Sequence, residues 1–201
     1  MHYRNIVFAF LGILGSVTMA FGADKYEFDK AHTYIGFTAK HFVITNVKGN
    51  FTDFSGIIFY DPQDITRSSV TAVIKTASIN TNNEKRDADL RSGRFLEVEK
   101  YPEITFKSKK IEKQNSHYLV TGDLTIKDVT KTVSFPFTLA GPVKDPMGNN
   151  RIGIEAGPLT INRQDYHVSF NDKLDGGGLV VSDEIVINLS VEGVHTKEEK
   201  K

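Results

Sequence analysis

Residues 118–139, YLVTGDLTIKDVTKTVSFPFTL, determine the fold more than any other stretch of the sequence. Apolar side chains recur at every second position on either side of a central Lys127-Asp128 pair. They are Tyr118, Val120, Leu124 and Ile126 before the pair, and Val133, Phe135, Phe137 and Leu139 after it. Period-two alternation predicts strands with one buried face, and the short polar pair between them predicts a tight turn. The stretch therefore predicts an antiparallel hairpin.

The same alternation appears in six further segments, near residues 35–39, 51–59, 70–79, 104–106, 152–161 and 185–191. Together with the hairpin they predict about eight strands, joined mostly by turns, with Gly56 as a kink. A meander of this length must protect its edge strands, and closure into a barrel does so completely. We therefore expect an all-β fold, an extended eight-stranded antiparallel barrel. A two-sheet sandwich is the alternative.

One segment breaks the strand pattern. Thr81 and Glu84 have the spacing of a capping box, and the residues that follow are polar except for Ala88 and Leu90. This predicts a short helix from about residue 82 to 91 that ends before Gly93. A helix with so small an apolar face does not suit a core, so we expect it to cap one end of the barrel.

Composition excludes several classes of protein. The chain has 201 residues, which suits one domain. Lys+Arg and Asp+Glu each total 25, so a nucleic-acid partner bound through phosphate neutralisation is not expected. There is no cysteine, which excludes disulfides, thiolate metal sites and cysteine nucleophiles.

The N-terminal residues 1–22 have the pattern of a secretory signal peptide. Arg4 provides a basic start, residues 6–17 are apolar, and Ala20 and Gly22 are the small residues expected before cleavage near Gly22/Ala23. An uncleaved anchor is the alternative, although the apolar run is short for a membrane span. We expect a bacterial protein of the periplasm, or a secreted one. Residues 23–194 form the predicted barrel domain, and residues 195–201 a charged, flexible tail.

An eight-stranded barrel is either filled by its own side chains or holds one small ligand. Small residues at inward positions favour a cavity, and three fall in phase with the apolar set: Ala39, Gly122 and Ala156. Patterning alone leaves open a filled barrel, which would serve as an interaction or stress-response module.

Several motifs in order resemble a known family. They are Asp29-Lys30-Ala31-His32-Thr33, Gly49-Asn50-Phe51, Phe54-Ser55-Gly56, Ser78-Ile79-Asn80-Thr81, Tyr101-Pro102, Gly122-Asp123-Leu124-Thr125-Ile126 and Asn162-Arg163-Gln164-Asp165-Tyr166. On these motifs, residues 28–194 resemble the YceI family of bacterial polyisoprenoid-binding, lipocalin-like proteins. The resemblance implies a barrel that encloses the long tail of an isoprenoid lipid, such as a quinone or a polyprenyl phosphate. It also implies a carrier and not an enzyme, with the lipid as ligand and no other cofactor.

We assign candidate ligand-binding residues on this basis. The predicted cavity wall is Phe37, Phe106, Leu124, Phe135, Phe137 and Ile154. Arg91, on the predicted helix, is the first candidate for a head-group contact and Arg163 the second, because a guanidinium group suits oxygen anions. The alternative for each arginine is a salt bridge at the barrel end, for instance to Asp89 or Asp165.

Two histidines are candidates for a metal site or for a catalytic role. His32 and His41 are nine residues apart and point to opposite faces of a continuous strand, so a shared metal site is not expected. An enzyme acting on the same lipid through His32 or His41 is the alternative function. A carrier is expected to contact membranes transiently, and homodimer formation is left open.

Overall fold

The computed structural model describes residues 22–42, 44–170, 172 and 180–195. Apart from Gly22, the predicted signal peptide lies outside these residues, and so does the predicted tail apart from His195. Within the part of the chain that is described, no helix is long and apolar enough to cross a lipid bilayer.

Strands dominate the described chain. They are β1 (Asp24–Phe28), β2 (Tyr34–His41), β3 (Thr45–Phe51), β4 (Phe54–Tyr60), β5 (Ser69–Lys75), β6 (Ile79–Asn80), β7 (Glu103–Lys113), β8 (Tyr118–Ile126), β9 (Val129–Lys144), β10 (Asn150–Asn162) and β11 (Val181–His195). One α-helix, α1 (Glu84–Arg91), lies between β6 and β7. Short 3₁₀ turns occupy Ile65–Arg67, Thr76–Ser78 and Arg163–Tyr166.

The sheet closes on itself. Eight strands form an antiparallel ring in the order β1, β4, β5, β7, β8, β9, β10 and β11, and β11 pairs again with β1. The edge of β11 that pairs with β1 also pairs with β2. Strand β3 pairs with β2, and β6 pairs with β3, so these three strands extend the sheet outside the ring. Closure leaves the ring without an open edge, as the meander required. The predicted eight-stranded, lipocalin-like barrel with a short helix is confirmed, and the sandwich alternative is wrong.

The predicted hairpin is confirmed as β8 and β9, paired from Ile126↔Val129 to Tyr118↔Phe137. The strand predicted over residues 51–59 is divided at Thr52-Asp53 into the end of β3 and the strand β4, a break that the sequence did not indicate. Gly56 lies inside β4, and the ring of Phe28 occupies the space that a side chain at this position would need. Strand β1 was not predicted; it pairs with β4 and β11 and closes the ring.

Helix α1 begins at Glu84, two residues later than expected. Its cap is Asn83, whose side chain accepts a hydrogen bond of 3.0 Å from the backbone N–H of Arg86. The predicted cap Thr81 is instead buried, and its backbone N–H and hydroxyl both donate to the carboxylate of Asp87, at 2.9 and 2.5 Å. This contact attaches the polar helix to the barrel through Asp87, a side chain that the helical pattern alone would place at the surface.

We call the end of the barrel that carries α1 and the β8–β9 turn the helix end, and the other end, with the β7–β8 and β9–β10 hairpins, the opposite end. A buried cluster at the helix end contains Phe95, Leu96 and Tyr166. A second cluster lies toward the opposite end around Ile111 and Phe137, and a third joins Tyr26, Ile58, Ile152 and Val191. The clusters leave the middle of the barrel incompletely filled.

Candidate functional site: an apolar cavity in the barrel

A cavity of about 280 Å³ lies inside the barrel. All eleven strands contribute lining residues, from Leu90 and Phe95 at the helix end to Ile111 and Leu139 toward the opposite end. The lining is apolar almost throughout. Its few side chains with polar groups are Tyr60, Ser68, Ser69, Arg163 and Tyr166. Such a surface binds hydrocarbon through burial alone and offers few hydrogen bonds along its length.

Seven of the eight residues predicted to bind ligand line this cavity: Phe37, Phe106, Leu124, Phe135, Phe137, Ile154 and Arg163. Aromatic rings form part of the wall. The ring centroids of Phe106 and Phe135 are 5.4 Å apart, and those of Phe37 and Phe51 are 5.8 Å apart. The structure therefore brings the predicted wall residues together, while their contact with a ligand stays a prediction.

The three small residues predicted to make room for a ligand differ in what they do. Ala39 and Ala156 line the cavity. Gly122 does not, because the ring of Phe106 lies across it. A Cβ atom at Gly122 would come within 2.5 Å of that ring and within 2.5 Å of the carbonyl oxygen of Lys107. Gly122 thus allows an aromatic ring to pack flat on the strand and does not enlarge the cavity.

Arg163 is held by the protein itself. Its Nε donates to the carbonyl of Ser182 at 2.9 Å, and Nη1 donates to those of Val168 and Phe170 at 2.6 and 2.7 Å. Its Nη2 donates to the carbonyl of Val181 and to Asp183, at 3.2 and 3.0 Å. These bonds use all five guanidinium donors. Burial lowers the pKa of Arg163 despite the opposite effect of Asp183. The geometry gives this residue a structural role and leaves no donor free for a head group.

Arg91 does not line the cavity. Its Nε donates to the carbonyl of Ala77 at 2.9 Å, its Nη2 to that of Ile79 at 3.1 Å, and its Nη1 lies 3.3 Å from Glu84. These contacts fasten α1 to the turn before β6.

The alternative for the two arginines, a salt bridge at the barrel end, agrees with the structure, although the partners differ from the suggested ones. Arg91 lies 3.3 Å from Glu84, and Arg163 lies 3.0 Å from Asp183. Asp89 pairs instead with Arg94 at 2.9 Å, and Asp165 pairs with Lys131 at 2.8 Å.

The two candidate histidines lie apart and neither lines the cavity. The ring of His41 contacts that of Phe42 at a tilt of 37°, with centroids 3.8 Å apart. The Nδ1 atom of His32 is 3.0 Å from Asp29, and this hydrogen bond raises the pKa of His32.

His32 belongs to an exterior charged network. Nη1 of Arg151 donates to Asp29 at 2.7 Å and also to Glu192, and Nε of Arg151 donates to Asp145 at 2.8 Å. The hydrogen bonds from Arg151 lower the pKa of Asp29 and of Asp145 to about 2. Ligand atoms of Asp29, His32 and Glu192 lie within 4.8 Å of one another, a spacing that could hold a metal ion. A guanidinium group already lies between the two carboxylates, so the cluster is a salt-bridge network.

Sequence reasoning missed Tyr166 as a site residue. Its side chain lines the cavity at the helix end, is 2% exposed, and its hydroxyl has no hydrogen-bond partner among the described residues. Burial raises the pKa of this phenol, and Asp165 adds to the effect. The sequence placed Tyr166 in a family-like motif, but nothing in the motif indicates an unpaired hydroxyl.

Comparison with known proteins gives a consistent result. The profile of the YceI-like domain matches residues 26–193. UPF0312 protein plu2095 of Photorhabdus laumondii is 39% identical over 174 residues, which is 86% of each chain. A crystal structure of the Campylobacter jejuni YCEI protein superposes with a TM-score of 0.67 at 37% identity, covering 84% of this chain and 96% of that one.

A polyisoprenoid binding domain from Saccharophagus degradans, implicated in plant cell wall breakdown, has the same fold. Its TM-score is 0.62 at 16% identity, over 85% of this chain and 98% of the other. The family profile, the identity to the relatives and the shared closed barrel agree, and the chain belongs to the YceI-like domain family.

Proposed function

We propose that this protein binds one long isoprenoid lipid, a quinone or a polyprenyl phosphate, in the barrel cavity and carries it through the bacterial periplasm or outside the cell. The observation that carries the proposal is the apolar cavity to which every strand contributes. Each buried CH₂ group of a tail contributes about 0.8 kcal/mol, so a long prenyl chain gains much from leaving water without any polar contact.

The burial of inward side chains argues against a filled barrel. Ala72, Ile187 and Leu189 all line the cavity, yet each remains only partly buried inside a closed ring of strands. In a barrel filled by its own side chains, inward residues are packed to the density of a crystal and lose almost all exposure. Open space next to these residues favours a ligand as the missing part of the core.

The placement of the candidate groups also favours binding over catalysis. His32 and His41, on which the enzymatic alternative depends, lie outside the cavity lining. A general base must come within hydrogen-bond reach of the group on which it acts. A lipid held in the cavity would be out of reach of both side chains, so we infer a carrier in which neither histidine acts on the lipid.

Two further observations support the ligand class and the compartment. A barrel of the same fold is described as a polyisoprenoid binding domain in Saccharophagus degradans. Residues 1–22 have the basic start, apolar run and small terminal residues of a secretory signal peptide.

A carrier must meet the membrane that supplies its lipid, and we place this contact at the tip of the β2–β3 hairpin. Phe42 is 38% exposed there and Ile44 is 79% exposed. Lys40 and Lys48 flank them, are exposed, and form no ion pair within the described part of the chain. Residues 31–52 contain no Asp or Glu, although the whole chain is neutral. An apolar tip between unpaired lysines suits an anionic bilayer surface.

The hairpin at the opposite end supplies a matched control, because Val143 and Met147 are also exposed, at 62% and 77%. The double variant Phe42→Ser/Ile44→Ser should lose sedimentation with vesicles that contain anionic phospholipid, and Val143→Ser/Met147→Ser should keep it. Equal loss in both variants, or equal binding of the wild type to purely zwitterionic vesicles, would reject this surface.

The binding function itself is tested by native mass spectrometry of protein purified from its own cells, followed by denaturation and identification of any released small molecule. We expect a stoichiometric prenyl lipid. A bare protein mass that persists after incubation with prenyl quinones and with polyprenyl phosphates would refute the proposal.

A further inference from the structure

We propose that the ligand enters and leaves the barrel sideways, between the strands β9 and β10. The route is the stretch in which residues 129–136 of β9 face residues 157–162 of β10, and we call this stretch the seam. The inference rests on the proposed function and adds the part of the wall through which a lipid reaches the cavity. The two ends of the barrel are the competing routes.

The ladder of paired residues between β9 and β10 covers only about half of each strand. It runs from the hairpin at the opposite end as far as Phe137↔Ala156, a position that we call the fork. Beyond the fork, β9 stays paired with β8 as far as Val129, and β10 stays paired with β11 as far as Asn162. Among the described residues no pair joins β9 to β10 along the seam. The wall therefore depends on side chains there.

The sequence explains why the ladder stops at the fork. Ile126↔Val129 closes a two-residue turn, so this pair is hydrogen-bonded, and bonded pairs alternate with non-bonded ones along antiparallel strands. Pro136 consequently falls in a non-bonded pair with β8, and the side of its backbone that lacks an N–H group faces β10. The next residue of β10 is Gly157, which has a φ of 108° and precedes Pro158. The ladder cannot continue through this combination.

Exposed ion pairs cross the seam near the helix end. Nζ of Lys131 on β9 lies 2.8 Å from Asp165, and Nδ1 of His167 lies 3.0 Å from Asp128 in the β8–β9 turn. All four side chains are at least 40% exposed, and exposed pairs contribute little to stability. Lys127 adds a buried contact at the turn itself, where it donates to the carbonyl of His167 at 2.9 Å. The seam is thus fixed at the fork and at the turn and weakly held between them.

Apolar side chains lie along the middle of the seam. Val133 on β9 and Leu159 on β10 are both partly buried and pack against the clusters inside the barrel. A hydrocarbon tail that passes between them stays in apolar surroundings and breaks no hydrogen bond of the ladder. Any other wall of the ring would have to lose paired backbone groups to admit the same tail.

A recess on the outer surface marks the fork. It has a volume of about 380 Å³, and Pro136 and Gly157 line it from the two sides of the fork. Phe137, Ala156 and Leu189 line both this recess and the cavity inside the barrel. At the fork, the recess and the cavity therefore meet opposite faces of the same residues.

Both ends of the barrel are closed by buried groups. At the helix end, Phe95 and Leu96 are 5% and 8% exposed, and the buried Asp87 of α1 holds the helix in place through its hydrogen bonds. At the opposite end, Ile65 is 7% exposed, and the buried Asp61 accepts hydrogen bonds from the backbone N–H groups that follow it. Opening either end would leave buried polar groups without partners, which is unfavourable.

The seam reaches the end of the barrel at which the β2–β3 hairpin was placed against a membrane. His41, at the tip of that hairpin, pairs with Val181 of β11, and Asn162, at the end of the seam, pairs with Glu184 of the same strand. A lipid that leaves the bilayer near this tip therefore meets the helix end of the seam first.

The first experiment closes the seam with a crosslink. The chain has no cysteine, so introduced thiols are the only ones present. Ser134→Cys/Thr160→Cys places exposed thiols on the two sides of the seam, and a short bismaleimide with a reducible linker joins them. Thr121→Cys/Ser134→Cys is the matched control, because these two hydroxyl groups already lie 2.7 Å apart on the ladder of β8 and β9.

The readout is the rate at which lipid-free protein takes up ubiquinone and the hydrocarbon isoprenoid squalene from vesicles. The crosslink across the seam should slow uptake of both at least about tenfold, and reduction of the linker should restore the rate. The same crosslink in the control should change the rate less than about twofold. Protein that is loaded first and crosslinked afterwards should retain its lipid.

A second variant tests the seam without a crosslink. Lys131→Gln removes an exposed ion pair across the seam and should speed release of squalene about two- to fivefold. Lys110→Gln removes an exposed pair with Glu112 on β7, away from the seam, and should leave the rate unchanged.

Three results would overturn the inference while the proposed function stands: uptake at the wild-type rate through the crosslinked seam, equal slowing in the crosslinked control, or unchanged release in Lys131→Gln. The last result decides the question even if the double-cysteine variant does not fold. If the wild type takes up neither lipid, the proposed function fails together with the inference.

Discussion

Substituting Ala72 with Leu tests whether the barrel is hollow, because the two interpretations of its interior predict opposite signs. Ala72 lines the cavity from β5, opposite Gly56 and Phe106 on the neighbouring strands, and belongs to none of the buried clusters. Leucine adds three carbon atoms. If they enter open apolar space, their burial contributes about 2 kcal/mol, reduced by about 0.5–1 kcal/mol of lost side-chain entropy. In a filled barrel the same atoms would cost about 1–3 kcal/mol by overpacking.

The assay is thermal and urea unfolding of protein stripped of lipid. A net gain near 1 kcal/mol should raise the melting temperature by about 2–4 °C for a domain of this size. Ala140→Leu is the control, because Ala140 is exposed on β9 and gains no comparable burial. The variant Ala72→Leu should also bind prenyl lipid more weakly, since the new side chain takes space from the tail. A fall in the stability of lipid-free Ala72→Leu would refute the hollow barrel.

Three further predictions concern charged groups. Arg163→Gln should lower the free energy of unfolding by about 3 kcal/mol, because several buried carbonyls lose their donor. The folded fraction of this variant should still take up squalene as the wild type does. Normal stability together with lost binding would instead assign Arg163 a role in ligand binding. Asp29 and Asp145 have pKa values lowered to about 2, so they stabilise the fold above about pH 4, and this contribution is lost as the pH falls toward 2. Urea unfolding of Arg151→Gln should show a shallower loss of stability over that range than the wild type, and an equally steep loss would contradict the role of Arg151. Since hydrogen bonding to Asp29 raises the pKa of His32, His32 stabilises the fold below about pH 6.5 and less as the pH rises through its folded pKa, a dependence that His32→Gln should remove.

The barrel could be predicted because its strands bury one face each and so carry a strong period-two pattern. The β8–β9 hairpin was located with its turn at Lys127-Asp128, which the structure confirms. Strand β1 was missed because only Tyr26 and Phe28 alternate in a segment rich in charge. The break at Thr52-Asp53 was not predicted. The sequence indicated a kink at Gly56, because glycine signals freedom of the backbone whether it bends a strand or, as here, makes room for a ring.

The site was predictable where it depends on which face of a strand looks inward, and unpredictable where it depends on distant partners. Phe106 and Phe135 follow from alternation alone, and both line the cavity. Arg163 could not be understood from its neighbours in sequence, because its acceptors include Ser182 and Val181, which only the fold brings near. Tyr166 is a further case, because the burial of its hydroxyl without a hydrogen-bond partner among the described residues is visible only in the structure.

The incompletely filled interior has a consequence for the life of the protein in the cell. A ligand that binds only the folded barrel stabilises it by mass action, by about 2.7 kcal/mol at a hundredfold excess over its dissociation constant. The empty barrel then opens more often and presents its chain to proteases more often than the loaded one. Degradation would remove empty molecules first, so the amount of this protein would follow the supply of its lipid without any change in gene expression.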